Sequence, residues 1–165
     1  MDNTEKEFER LVQAHKDVIY TACYMFSKDA DEVADLFQET LVNMWKGVLK
    51  SSSQMLTAAR EAQKAWVYRV ALNTCISSDR KKRKHPTVSL NMDINLFADS
   101  DNRSHQTDML HRRITRLQPF DRAIVLLWLE DISYEEIGSI MGISPKNVSV
   151  RLVRIKEELK KNNNQ

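Results

Sequence analysis

The sequence predicts an all-α chain of two small helical domains joined by a flexible linker. Three observations support this fold. Only three Gly and three Pro occur in 165 residues, too few for a strand-and-turn architecture, while Leu, Ile, Ala, Glu, Lys and Arg favour helix. Apolar residues recur at spacings of three and four along most of the chain, and no segment reads as a strand. A polar stretch from Thr87 to about His105 has no sustained apolar period and separates two periodic halves. The expected division is residues 1–85, a linker at 86–105, a second domain at 106–161 and a disordered Asn-rich tail at 162–165.

The first helix is expected to open with a capping box at Thr4 and Glu7. It carries Phe8, Leu11, Val12, His15, Ile19, Ala22, Cys23 and Phe26 on one core-facing side. His15, at the edge of that stripe, reads as a satisfied histidine rather than a ligand. A break at Ser27-Lys28-Asp29 follows, with Asp29 as N-cap and Glu32 as its partner. The second helix, about Ala30 to Leu49, buries Val33, Leu36, Phe37, Leu41, Met44, Trp45 and Val48. Its other face presents Asp35, Gln38, Glu39, Asn43 and Lys46, which periodicity alone reads as a solvated ridge.

From Gly47 to Lys64 the rhythm is lost, and Met55 to Lys64 forms either a weak helix or a mobile segment. The stretch Ala65 to Arg80 is apolar nearly all round in its first half. It should be buried on several sides, so Arg69 and Asn73 within it need partners. It runs into Arg80-Lys81-Lys82-Arg83-Lys84, which is either a phosphate-attracting run or a plain solvated helix end.

Beyond the linker, a helix with Met109, Leu110, Ile114 and Leu117 is interrupted at Gln118-Pro119-Phe120-Asp121. Asp121 is expected to cap the next helix, which contains Ile124, Val125, Leu127, Trp128 and Leu129. The most informative local pattern comes last. Ser133 and Glu136 make a capping box, Ile137, Ile140 and Met141 an apolar stripe, and Gly142 a C-cap; Ser144 is a second N-cap, with Pro145 at the first helical position. Two short helices joined by a tight Gly-containing turn are a helix-turn-helix. In its second helix Ile143, Val148 and Leu152 face the core. Lys146, Asn147, Ser149, Val150, Arg151 and Arg154 point away, as in a helix that enters the DNA major groove.

The formal net charge is only +2, so DNA affinity has to come from these local basic patches. No signal-peptide pattern, membrane span or metal-ligand spacing is expected, and Cys23 and Cys75 read as reduced, buried residues of a cytoplasmic protein. An enzyme is not expected. None of His15, His85, His105 or His111 follows a Glu by three residues, and there is no phosphate-binding Gly loop or nucleophile elbow.

Three separated motifs resemble the extracytoplasmic-function sigma factors of bacterial RNA polymerase. Asp35-Leu36-Phe37-Gln38-Glu39 with Trp45-Lys46 is similar to the part of region 2 that docks on the β′ clamp helices. Trp66 to Asn73 with Asp79-Arg80 is similar to the part that opens and reads the minus-ten element. Leu117 to Arg122 with the helix-turn-helix is similar to region 4, which reads the minus-thirty-five element. The resemblance implies a factor with no cofactor that binds core polymerase, at the β′ clamp helices and the β flap, and promoter DNA. It also implies an anti-sigma partner and no membrane insertion.

The resemblance places Asp35, Gln38, Glu39 and Asn43 against polymerase. It places Trp66, Arg69, Asn73, Arg80, Lys81 and Arg83 on minus-ten DNA, and Lys146, Asn147, Ser149, Arg151 and Arg154 on minus-thirty-five DNA. Aromatic surface beside cations at Trp66, Tyr68 and Arg69 suits single-stranded DNA. Trp66 would wedge at the bubble edge, or be a core residue, or both. The segment from Gly47 to Lys64 lacks the family's short aromatic-and-Gly pattern, so no flipped-base pocket is assigned there. Ser149 stands where many relatives carry Lys or Arg. The alternative is a helix-turn-helix regulator that binds an operator without polymerase. The two domains are expected to move relative to each other in the free chain.

Overall fold

A computed structural model describes residues 3–27, 29–84 and 104–161. These residues form α1 (Asn3–Phe26), α2 (Ala30–Lys50), a short 3-10 turn (Ser53–Thr57), α3 (Arg60–Lys84), α4 (Ser104–Thr115), α5 (Pro119–Leu129), α6 (Tyr134–Met141) and α7 (Pro145–Lys161). Among the described residues there is no strand, and no helix is long and apolar enough to cross a membrane. The expected linker and tail lie almost wholly outside the described residues.

The first three helices enclose one core of Leu11, Ile19, Cys23, Val33, Leu36, Met44, Val67 and Cys75. Each fully buried Leu or Ile there contributes roughly 1.5–3 kcal/mol of transfer free energy. α1 already includes Asn3, so Thr4 lies within the helix instead of capping it. Asp29 is the N-cap of α2 as expected, its carboxylate accepting from the Asp31 N–H at 3.0 Å. Glu32 does not close the box back onto Asp29. The Asp29 N–H donates to Ser27 Oγ instead (3.1 Å), and Glu32 accepts from the Ser27 hydroxyl (2.7 Å) and pairs with Lys82 of α3.

α3 starts five residues before the expected Ala65, and Gln63 accounts for the difference. Its amide donates to the Met55 and Leu56 carbonyls at 2.9 and 3.3 Å, and its Oε1 lies 3.1 Å from the buried His15 Nε2. One polar side chain therefore ties α1, the 3-10 turn and α3 together, and fixes a stretch without apolar rhythm.

The second core crosses the boundary between the two halves. Ile114, Leu117, Ala123 to Leu127, Ile137, Ile140, Val148, Leu152 and Ile155 pack with Ala22 of α1 and with Tyr68, Ala71 and Leu72 of α3. α3 is apolar on two sides because it serves both cores. Polar bonds reinforce the docking. The His111 imidazole lies 2.7 Å from the Tyr24 carbonyl, and Arg122, over the Phe26 ring, donates to the Thr115 and Leu117 carbonyls at 2.7 and 3.1 Å. The domains expected to move independently are thus held together in this structure by a common core.

The start of α5 corrects one cap. Gln118 is the N-cap and Pro119 the first helical residue, so Asp121 lies inside the first turn. Proline suits that first position because its fixed φ is helical and its missing N–H is not needed. α5 ends at Leu129 with Glu130 as its C-cap, and the next residue, Asp131, has a φ of 60° that lets the Ile132 N–H reach the Leu127 carbonyl at 3.1 Å.

Candidate nucleic-acid and polymerase interfaces

The helix-turn-helix is assembled from its caps. Ser133 Oγ accepts from the Glu136 N–H at 3.2 Å, Gly142 ends α6 with a left-handed φ of 75°, and Ser144 Oγ accepts from the Asn147 N–H at 3.1 Å. A Cβ on Gly138 would stand 2.5 Å from the Ile143 carbonyl oxygen, so the turn can fold back onto α6 only over a glycine. α7 buries Val148, Leu152 and Ile155, which leaves Lys146, Asn147, Val150, Val153 and Arg154 exposed on the opposite side and Ser149 at the margin. Arg151 differs from its neighbours. Its guanidinium donates to Asp121 Oδ1 at 3.1 Å and lies over the Phe120 ring at 4.8 Å, so it clamps α7 to α5. Lys156 covers the Trp128 ring in the same way at 4.5 Å.

On α3, Arg69, Asn73, Ser77 and Arg80 follow one another at spacings of four, four and three, and all are exposed. They form one outward row, with Lys81 beside its end. Trp66 begins that row half-buried, packed against the first core and against Gly47, where an added Cβ would lie 3.3 Å from its ring. Trp66 is therefore a packing residue with one side open. Lys82 pairs with Glu32, and the side chain of Arg83 lies outside the described ones. Arg69 donates to the Ser139 carbonyl of α6, so this member of the row also touches the helix-turn-helix. One residue before it, Tyr68 is buried against Glu130. Burial, together with that carboxylate, pushes the Tyr68 phenol well above its ordinary range.

On α2, Asp35, Gln38 and Glu39 are exposed along one face, with Lys46 farther along. Asn43 is half-buried, and its amide donates to Thr74 Oγ1 at 2.9 Å, so it links α2 to α3. Val42 and Leu49 stand exposed in the same row. Their place on the outward face follows from the helical spacing, which sets two apolar side chains among the polar ones.

The two cysteines are buried and unbridged, and a thiol–thiol hydrogen bond plus burial pushes Cys75 upward. Among the described residues, no group of three or more His, Cys, Asp or Glu is placed to hold a metal ion.

Residues 11–85 match the family model described as Sigma-70 region 2, and residues 107–159 match that of Sigma-70, region 4. The ECF RNA polymerase sigma factor SigM of Bacillus subtilis is 26% identical over 157 residues, covering 92% of this chain and 92% of that protein. SigW of the same organism is 25% identical over 93% of this chain and 87% of its own length. The chain belongs to the extracytoplasmic-function sigma factors. SigE of Mycolicibacterium smegmatis is also 25% identical over 93% of the chain, which spans 60% of that longer relative. CnrH, solved in complex with the cytosolic domain of CnrY, shares the fold at a TM-score of 0.65, with 18% identity over 95% of this chain and 87% of that one.

As a sigma factor the protein acts in transcription initiation, and its family implies core RNA polymerase and promoter DNA as partners. The α2 face and the α3 row both fall within the region 2 match, and α7 within the region 4 match.

Proposed function

We propose that this sigma factor docks on the β′ clamp helices of core polymerase through Asp35, Gln38 and Glu39 of α2, with Asn43 at the edge of that contact. Melted minus-ten DNA then lies along Trp66, Arg69, Asn73, Arg80, Lys81 and Arg83. The helix-turn-helix sits on the β flap, and α7 reads the minus-thirty-five element with Lys146, Asn147, Ser149 and Arg154. Arg151 holds the angle of α7 against α5 and meets phosphate only at its outer edge. The observation that carries the assignment is the outward row of α3. Arg69, Asn73 and Arg80 gain nothing from the core by facing solvent in register, whereas a cationic and amide row beside a half-open indole suits a single strand. The acidic α2 face is complementary to a basic coiled coil. No step needs a cofactor or a reaction of the chain's own, and the partners named place it in the cytoplasm.

Docked as it is, the chain offers the α2 face and α7 while α6 is bonded to Arg69. Melted minus-ten DNA therefore reaches the whole α3 row only after α6 moves off it. A protein partner that bridges the two halves would hold them closed, which is the action of an anti-sigma factor. Transcription in vitro with core polymerase over a fragmented genomic library tests the whole reading. Promoter-specific transcripts that depend on this protein are expected. Their absence, with a folded protein and active core enzyme, would overturn it.

A further inference from the structure

α7 carries a feature that the basic face does not account for. At 3.6 residues per turn, its buried stripe of Val148, Leu152 and Ile155 sets an outward pole on the opposite side of the helix, and Val150 lies within about 15° of that pole. Lys146 and Arg154 flank it one turn before and one turn after, and Asn147 stands on its shoulder, three residues back. The side chain that would project farthest into a groove is thus apolar and β-branched, and it is 53% exposed. Neither folding nor solubility asks for Val there. It belongs to neither hydrophobic core, it is a poorer helix former than Ala, and it leaves methyl groups in water. Val153, 58% exposed, lies farther round the helix and one turn closer to its C-terminal end.

In the major groove the only apolar feature on a base edge is the C5-methyl group of thymine. We infer that Val150 is a specificity-determining residue which recognises a thymine methyl in the minus-thirty-five element, with Asn147 beside it placed for adenine. The inference rests on the proposed entry of α7 into the major groove and adds the base class read at its centre. Asn147 is free for that role because its backbone N–H, not its side chain, serves the Ser144 cap. An exposed carboxamide pairs in two-point fashion with adenine N6 and N7. Asn147 and Val150 are three residues apart, about 4.5 Å along the axis, and a base-pair step is about 3.4 Å, so the two can address adjacent pairs. An A·T-containing step is therefore the expected target.

The test uses the full chain assembled with core polymerase, on promoter duplexes in which each minus-thirty-five thymine is replaced singly by uracil. That change removes only the methyl group. For the unaltered chain, one such position should weaken binding about fourfold, the value of one buried methyl-sized group. Val150→Ala should lose a similar factor on the thymine duplex, become indifferent to uracil at that position, and melt as the unaltered chain does. If uracil costs Val150→Ala as much as the unaltered chain at every position, Val150 is not the reader. The same holds if uracil is silent everywhere while Lys146 or Asn147 substitutions still change the preferred sequence. If those substitutions are silent as well, α7 does not enter the groove, and the underlying reading falls with the inference.

Discussion

Two glycines shape the turn of the helix-turn-helix for different reasons, and exchanging each for alanine separates those reasons. At Gly142 the backbone φ is 75° and nothing lies within 4 Å of an added Cβ, so Gly142→Ala meets only the intrinsic cost of a left-handed residue. That cost is about 1–2 kcal/mol, and Gly142→Asn should recover much of it because Asn tolerates this region. At Gly138 the φ is ordinary, but the Cβ would meet the Ile143 oxygen at 2.5 Å, with Pro145 N and Ser144 C at 3.4 Å. Alanine is intrinsically better than glycine inside a helix by about 1 kcal/mol. The obstruction is backbone, with no flexible side chain to swing aside, so the upper end of the overpacking range, about 3 kcal/mol, applies. The net expectation for Gly138→Ala is a loss of about 2 kcal/mol, or roughly 4–8 °C in Tm for a chain of this size. Urea unfolding followed by circular dichroism measures both variants. Gly138→Asn, unlike Gly142→Asn, should rescue nothing. A Gly138→Ala protein as stable as the original would refute the close approach of turn to helix, and with it the stated geometry of α7.

Other perturbations follow from single contacts. Asp35→Arg or Glu39→Arg should weaken co-purification with core polymerase while changing stability by no more than about 0.5 kcal/mol, since both side chains are exposed. Arg154→Ala should lower affinity for every promoter and flatten its salt dependence by about one unit. Arg151→Ala should instead cost roughly 1 kcal/mol of stability through the lost Asp121 bond and Phe120 stacking. Tyr68 is held neutral by burial and by Glu130, so its contribution is complete below the ordinary tyrosine range near pH 10 and is lost as pH rises beyond it. Alkaline titration should show one tyrosine ionising above the ordinary tyrosine range, and Tyr68→Phe should remove that late step.

The helix-turn-helix was legible in the sequence because each of its signals is local. Ser133, Gly142, Ser144 and Pro145 act on backbone groups within four residues, and all four stand as expected. Periodicity likewise placed the stripes of α1 and α2. It failed between Gly47 and Lys64, where order comes from Gln63 reaching His15 and two carbonyls, and no apolar period reports a long-range polar bond. The misplaced cap at Asp121 has a similar origin. Asp is a strong N-cap in general, but here its carboxylate is engaged by Arg151, thirty residues away in the chain. The candidate surfaces were legible as faces; which of their members carry internal bonds was not, as Asn43 with Thr74 and Arg69 with Ser139 show.

The pattern of α3 connects these points. Its apolar girdle reads locally as deep burial, and a three-helix bundle alone would cover only one side of it. The other side, at Tyr68, Ala71 and Leu72, needs a second partner, and the region 4 helices supply it through Ile114, Leu126 and their neighbours. The surface that joins the halves and the row proposed for melted DNA are therefore adjacent faces of one helix, only a residue apart at Tyr68 and Arg69. Buried Leu and Tyr side chains make separation costly, whereas the exposed Arg69 bond makes only a small contribution of its own. A displacement of α6 large enough to free Arg69 also uncovers part of the shared core. Such apolar surface is stable in water only if another protein covers it, and in the proposed scheme core polymerase is the partner that receives both halves. In that scheme, polymerase binding has to offset the loss of the shared core before the whole α3 row is free.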